Sequence, residues 1–88
     1  GGGLPGNLRR IMPERCRADV DYDAWDRPAL FDLIQSLGDV PESDMRRTFN
    51  CGIGLVGTFP ADEGDAVVDL LRAEGEEPVV IGRVVEDV

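Results

Sequence analysis

At 88 residues the chain holds at most one small domain, and at that size only about 60% of the unfolded surface is buried on folding. Its 42% hydrophobic and 31% charged residues exclude both a disordered and a membrane-spanning chain, since no apolar run approaches the roughly 20 residues that cross a bilayer. The net charge of −9 argues against nucleic acid or an anionic membrane surface as the main partner.

In chain order, Pro5 suits the first turn of a helix whose apolar residues are Leu4, Leu8, Ile11 and Met12, with Pro13 stopping it. A strand is expected around Arg17–Tyr22, with Asp19, Asp21 and Asp23 on its solvent face. Pro28 opens a second helix carrying Leu30, Phe31, Leu33, Ile34 and Leu37, a broad stripe expected in the core and ended by Gly38. Residues 41–47 read as a helical turn, and Cys51–Phe59, apolar and punctuated by glycines, as a buried strand ended by Pro60. Residues 61–73 form an acid-first helix with Gly75 as its cap, and residues 78–85 a β-branched strand broken by Gly82. The order α-β-α-(α)-β-α-β predicts an α+β fold with helices layered on a small mixed β-sheet.

The absences narrow the chemistry. With no His, the chain makes no Ser-His-Asp or Cys-His arrangement of its own. With no Lys, since all nine basic residues are Arg, it makes neither a Schiff base nor a phosphate-binding loop with its lysine. Two cysteines, Cys16 and Cys51, give neither a disulfide framework nor a zinc-binding pair, and are read as reduced thiols of a cytoplasmic protein. No metal site is expected within the chain. No initiator Met, signal peptide or lipidation motif precedes Gly1, so the chain reads as a piece of a longer one, unless the three glycines are an engineered scar.

Charge is split along the chain. Residues 1–17 carry four Arg against Glu14, a net of +3, and the remainder a net of −12. The basic end suits either an anion or a solvated arginine face on a short helix. Two motifs add to this. Gly1-Gly2-Gly3-Leu4-Pro5-Gly6-Asn7 runs a glycine loop into a helix start, where backbone N–H groups and the helix dipole can hold a phosphate or carboxylate. Phe49-Asn50-Cys51-Gly52-Ile53-Gly54 places two glycines where a ligand or another backbone approaches closely, beside an Asn that offers donors and an acceptor. A bulge with close helix packing accounts for the same glycines.

Together, GGGLPGNLRRIMP, the Trp25 and Pro28 segment and MRRTFNCGIGLVG resemble the C-terminal region of phosphoribosylformylglycinamidine cyclo-ligase, or aminoimidazole ribonucleotide synthetase. The resemblance covers nearly the whole chain, including Gly75-Glu76 and Ile81-Gly82 near its end. It implies that residues 1–88 are a single partial domain, the latter part of the family's C-terminal domain, without the N-terminal domain that supplies most of the ATP-binding surface. It implies, for the whole enzyme, that ATP with Mg2+ activates the formyl oxygen of formylglycinamidine ribonucleotide, and that the amidine nitrogen closes the imidazole ring with release of ADP and phosphate. By the same resemblance Gly1, Gly2, Gly3 and Asn7 form a cleft-facing substrate loop, with Arg10 and Asn50 as further contacts. No catalytic residue is assigned to this chain, which is expected to be inactive alone. The parent is expected to be a homodimer, and the isolated piece to self-associate through uncovered edges and apolar surface.

The sequence departs from the family at Gly6, usually a glutamate, and at Arg9, usually a proline. Related families, namely selenophosphate synthetase, thiamine-monophosphate kinase, the hydrogenase-maturation dehydratase and formylglycinamidine ribonucleotide synthetase, share the architecture and the use of ATP. A reading of another kind is a folded interaction or structural module with an open glycine loop.

Overall fold

The structure, a computed structural model, describes residues 2–87. It is α+β, in nearly the expected order: α1 (Gly3–Ile11), β1 (Cys16–Val20), α2 (Ala29–Gly38), α3 (Glu42–Thr48), a 3-10 turn (Ala61–Glu63), α4 (Gly64–Ala73) and β2 (Gly82–Glu86).

The sheet has two strands, β1 and β2, paired antiparallel with Cys16 opposite Glu86 and Val20 opposite Gly82. It is therefore antiparallel, where the element order predicts a mixed sheet. The ladder continues past both ends, through Asp21 N–H to the Ile81 carbonyl and Asp87 N–H to the Arg15 carbonyl, each at 2.7 Å. Gly82 does not break its strand: it begins it, at a crossing so close that a Cβ there would meet the Asp19 carbonyl. Asp19 faces solvent from β1 as its alternation predicts, whereas the strand stops at Val20, short of the expected Tyr22, and Asp21 and Asp23 are exposed in the turn beyond it.

The strand expected at Cys51–Phe59 does not form. Cys51 and Gly52 make a turn with φ of 54° and 104°, and the chain then runs on with no strand partner. A strand exists only where a second strand accepts its hydrogen bonds, and among the described residues β1 and β2 pair only with each other.

The buried core consists of Leu4 and Leu8 of α1, Met45 of α3, and Cys51. It sits where α1 packs across α3 and against β1. Trp25 closes it from one side, its indole N–H donating to the Cys51 carbonyl at 3.0 Å. Gly52 is seated so tightly on this seam that a Cβ would stand 2.5 Å from Pro28 Cδ. The glycine thus serves close packing, without the strand.

The α2 stripe is not core. Phe31 reaches Phe49 edge-on at 6.0 Å, but Leu30, Leu33 and Leu37 are exposed, Leu37 to 80%. The helix forms as its pattern dictates, while burial requires an opposing surface that the described elements do not provide. Its left-handed terminating residue is Asp39, with φ of 51°, one position beyond the expected Gly38. Among the described residues helix α4 packs mainly on the 3-10 turn before it and leaves Leu70 exposed. It ends as expected at Gly75 in a Schellman motif, with Glu76 N–H bonded to the Leu71 carbonyl and Gly75 N–H to that of Arg72, both at 3.0 Å. The spread of these helices gives a radius of gyration of 14.3 Å, against about 12 Å for a compact domain of this length.

Candidate functional site

Helix α1 begins in a conformation only glycine adopts readily, with φ of 95° at Gly2 and 62° at Gly3. Gly3 lies against the last turn of α3: a Cβ would collide with the Arg46 carbonyl and stand 2.9 Å from the Arg47 carbonyl carbon. The first glycine motif is thereby pressed onto the helix that leads directly into Phe49-Asn50, the start of the second. Gly1 falls outside the described residues.

Asn7 lies one helical turn on from Gly3. Its Nδ2 donates to the Gly3 carbonyl at 2.8 Å, which fixes the amide, and its Oδ1 accepts from Arg10 Nη1 at 3.4 Å. Asn7 and Arg10 are exposed, so this face of α1 presents a linked amide and guanidinium to solvent. Asn50 is also exposed, but its Oδ1 accepts the Gly52 N–H at 2.9 Å. That bond fixes the amide, leaving Nδ2 free to donate and one Oδ1 lone pair free to accept. Gly6 is helical, and a Cβ there would meet nothing within 4 Å, so the face is open where the resemblance has a glutamate. Cys51 is completely buried, its Sγ within 3.8 Å of the Met45 and Phe49 carbonyls, and serves packing.

A second cluster has only a partial signature in the sequence. Glu42, the first residue of α3, binds Arg27 through both oxygens at 2.9 and 2.7 Å, Arg46 at 2.7 Å and Gln35 at 3.3 Å. The Glu42 to Arg46 spacing of four residues is a legible signal; the contribution of Arg27, from a distant loop, is not. Arg46 also lies 4.0 Å over the Tyr22 ring. Burial raises the Tyr22 pKa, and its hydroxyl is buried without a partner among the described residues. Hydrogen bonding from Arg27 dominates in holding the Glu42 carboxyl at about 2, and the same bond raises the Arg27 pKa.

This cluster lines an open cleft of about 440 Å³ together with Asp23, Asp26 and Asp32. The cleft is a poor receptor for an anion, because both its arginines are bound to Glu42 and its remaining charges are carboxylates. None of Gly2, Gly3, Asn7, Arg10 or Asn50 lines it. The exposed amide and guanidinium of Asn7 and Arg10 lie instead on the α1 face.

The Glu42 pKa sets a pH dependence. A carboxyl whose folded pKa lies below its usual value of 4.5 adds stability that is fully present above 4.5 and is lost as pH falls towards 2. Urea midpoints of the chain and of Glu42→Gln should therefore differ at neutral pH and converge across that window. A difference that stays constant down to the lowest pH would show that the carboxylate charge is not what stabilises the cluster.

No helix among the described residues is long and apolar enough to cross a membrane. The family model described as AIR synthase related protein, C-terminal domain, matches residues 1–88. With its glycine loop seated against the helix that leads into TFNCGIG, and with that match along its full length, the chain belongs to the AIR synthase related family, C-terminal domain, a family of ATP-using enzymes of purine biosynthesis and related synthetases.

Proposed function

We propose that this chain forms one wall of the substrate cleft of a phosphoribosylformylglycinamidine cyclo-ligase acting in the cytoplasm on formylglycinamidine ribonucleotide and ATP. The observation that carries the reading is the contact of Gly3 with the end of α3, which joins the GGGLPGN loop to the segment bearing Asn50. A ribonucleotide offers a phosphate and several hydroxyls. The N-terminus of α1 suits the phosphate, through its dipole and its backbone N–H groups. Arg10, held by Asn7, adds a fixed cation, and the Asn50 amide a donor. These residues bind and orient; none transfers a proton.

ATP and Mg2+ supply the phosphoryl chemistry of such an enzyme. The described residues contain no grouping of three His, Cys, Asp or Glu able to hold a metal, and the chain has no Lys. The magnesium nucleotide is, in this reading, held mostly outside this chain. In this reading the opposite wall of the cleft belongs to an ATP-binding domain, whose docking would cover apolar faces such as those of α2 and α4, and the parent enzyme is a homodimer.

The test is a titration of the chain with formylglycinamidine ribonucleotide or a phosphoribosyl analogue, followed by backbone amide shifts. Saturable shifts confined to Gly2–Asn7 and Asn50–Gly54 are expected, with no turnover of ATP by this chain alone. Shifts centred on the Arg27–Glu42 cleft would relocate the site. None at millimolar ligand would favour a structural module.

A further inference from the structure

Cys51 stands in the left-handed region, with φ of 54°, a conformation that a residue bearing a side chain adopts only at a cost. Such a backbone persists where its surroundings hold it. Here the hold comes from the loop before α2. The Trp25 indole N–H donates to the Cys51 carbonyl at 3.0 Å, and Pro28, at the end of the same loop, lies against Gly52.

The Cys51–Gly52 peptide is planar and trans, so its carbonyl and its N–H point in opposite directions. With the carbonyl turned to Trp25, the Gly52 N–H faces away from it and meets Asn50 Oδ1 at 2.9 Å. One peptide plane thus carries the indole bond on one edge and the Asn50 amide on the other. We propose that Trp25 is a positioning residue for Asn50: by fixing the Cys51–Gly52 plane, its indole N–H aims the exposed Asn50 amide at the ribonucleotide. The role deepens the proposed function and rests on it, since Asn50 meets a ligand only if this face is the substrate wall.

The same role accounts for the charged cluster beside the cleft. The Trp25 ring lies 5.4 Å from that of Tyr22, and Arg46 covers the Tyr22 ring at 4.0 Å. Glu42 holds Arg46 and, through both oxygens, Arg27, two positions beyond Trp25. The loop is thereby pinned to α3 on either side of the indole, through Tyr22 before it and Arg27 after it. An indole with so little freedom keeps its donor on the Cys51 carbonyl.

Trp25 is the only tryptophan of the chain, so an analogue can replace it without touching another position. Benzothienylalanine keeps the shape and puts sulfur in place of the indole N–H, while fluorotryptophan keeps the donor. In the ligand-free benzothienyl chain the NMR signals of the Gly52 N–H and the Asn50 side-chain amide should move, and the Gly52 amide should exchange faster. Fluorotryptophan should restore both. Titrated with formylglycinamidine ribonucleotide, the benzothienyl chain should bind about fivefold more weakly, the net contribution of one hydrogen bond. Its ligand-induced shifts should be lost at Asn50–Gly54 and kept at Gly2–Asn7. Unmoved Gly52 and Asn50 signals overturn the proposal, as does ribonucleotide binding equal to that of the unsubstituted chain. Equal loss of shifts at both motifs also overturns it, because that marks a general defect of the fold. An unsubstituted chain that binds no ribonucleotide overturns the functional reading instead, and the ligand-free signals then decide whether Trp25 sets Asn50.

Discussion

Gly3→Ala should be the most damaging single methyl group that can be added to this protein. A Cβ at this position meets the Arg46 and Arg47 backbone, which cannot swing aside as a side chain would, and φ of 62° is strained for alanine. Overpacking and backbone strain together should cost on the order of 3 kcal/mol. For a domain of this size that corresponds to a fall in Tm of roughly 12 °C or more. Thermal unfolding followed by Trp25 fluorescence measures it. Gly6→Ala is the matched control: it lies in the same helix, has open space around it, and should be neutral or stabilising by about 0.5–1 kcal/mol. If the two variants melt together, the close seam between α1 and α3 is not there. Because the same seam seats the glycine loop on the helix that leads into Asn50, Gly3→Ala should also abolish the ribonucleotide-induced shifts at both motifs.

Met45→Ala should rank with it. Met45 is fully buried, and its carbonyl accepts the Phe49 N–H at 2.9 Å as α3 ends. Truncating a buried methionine leaves a cavity and costs about 2–5 kcal/mol, a large share of the stability of a domain with so few buried side chains. Met45→Leu conserves volume and should cost less than about 1.5 kcal/mol. Urea denaturation of the three proteins decides the matter. Equal losses for Ala and Leu would mean that the sulfur or the shape of methionine, rather than filled volume, is what the core requires. In the Ala variant the Trp25 emission should also shift, since its indole bond to the Cys51 carbonyl spans the same core.

Legibility differs from element to element. The ends of the helices are written locally: Pro28, Pro41 and Gly75 act through their own backbone geometry, and each bounds a helix in the structure. The exposure of Asp19 follows from the period of β1. The family is legible for another reason. GGGLPGN and TFNCGIG are separated but ordered, and their joint occurrence across the chain is specific where either alone is not.

What composition and periodicity could not decide was which apolar surface finds a partner. The stripes on α2 and α4 and the run Ile53–Phe59 all carry the pattern of buried structure, yet Leu33, Leu37, Leu55 and Leu70 are exposed. Pattern specifies that a face is apolar; burial depends on a second surface, which only the tertiary arrangement supplies. The same holds for Arg27 with Glu42, whose pairing across a loop and a helix has no local signature. The sequence by itself determined the helices, the family and the identity of the glycine loop, because turn chemistry and motif order act over a few bonds. The tertiary structure alone decided that Gly3 meets the end of α3, that the Asn50 Oδ1 turns to the Gly52 N–H, and that residues 54–59 find no backbone partner among the described residues, because each depends on where the folded chain brings its segments.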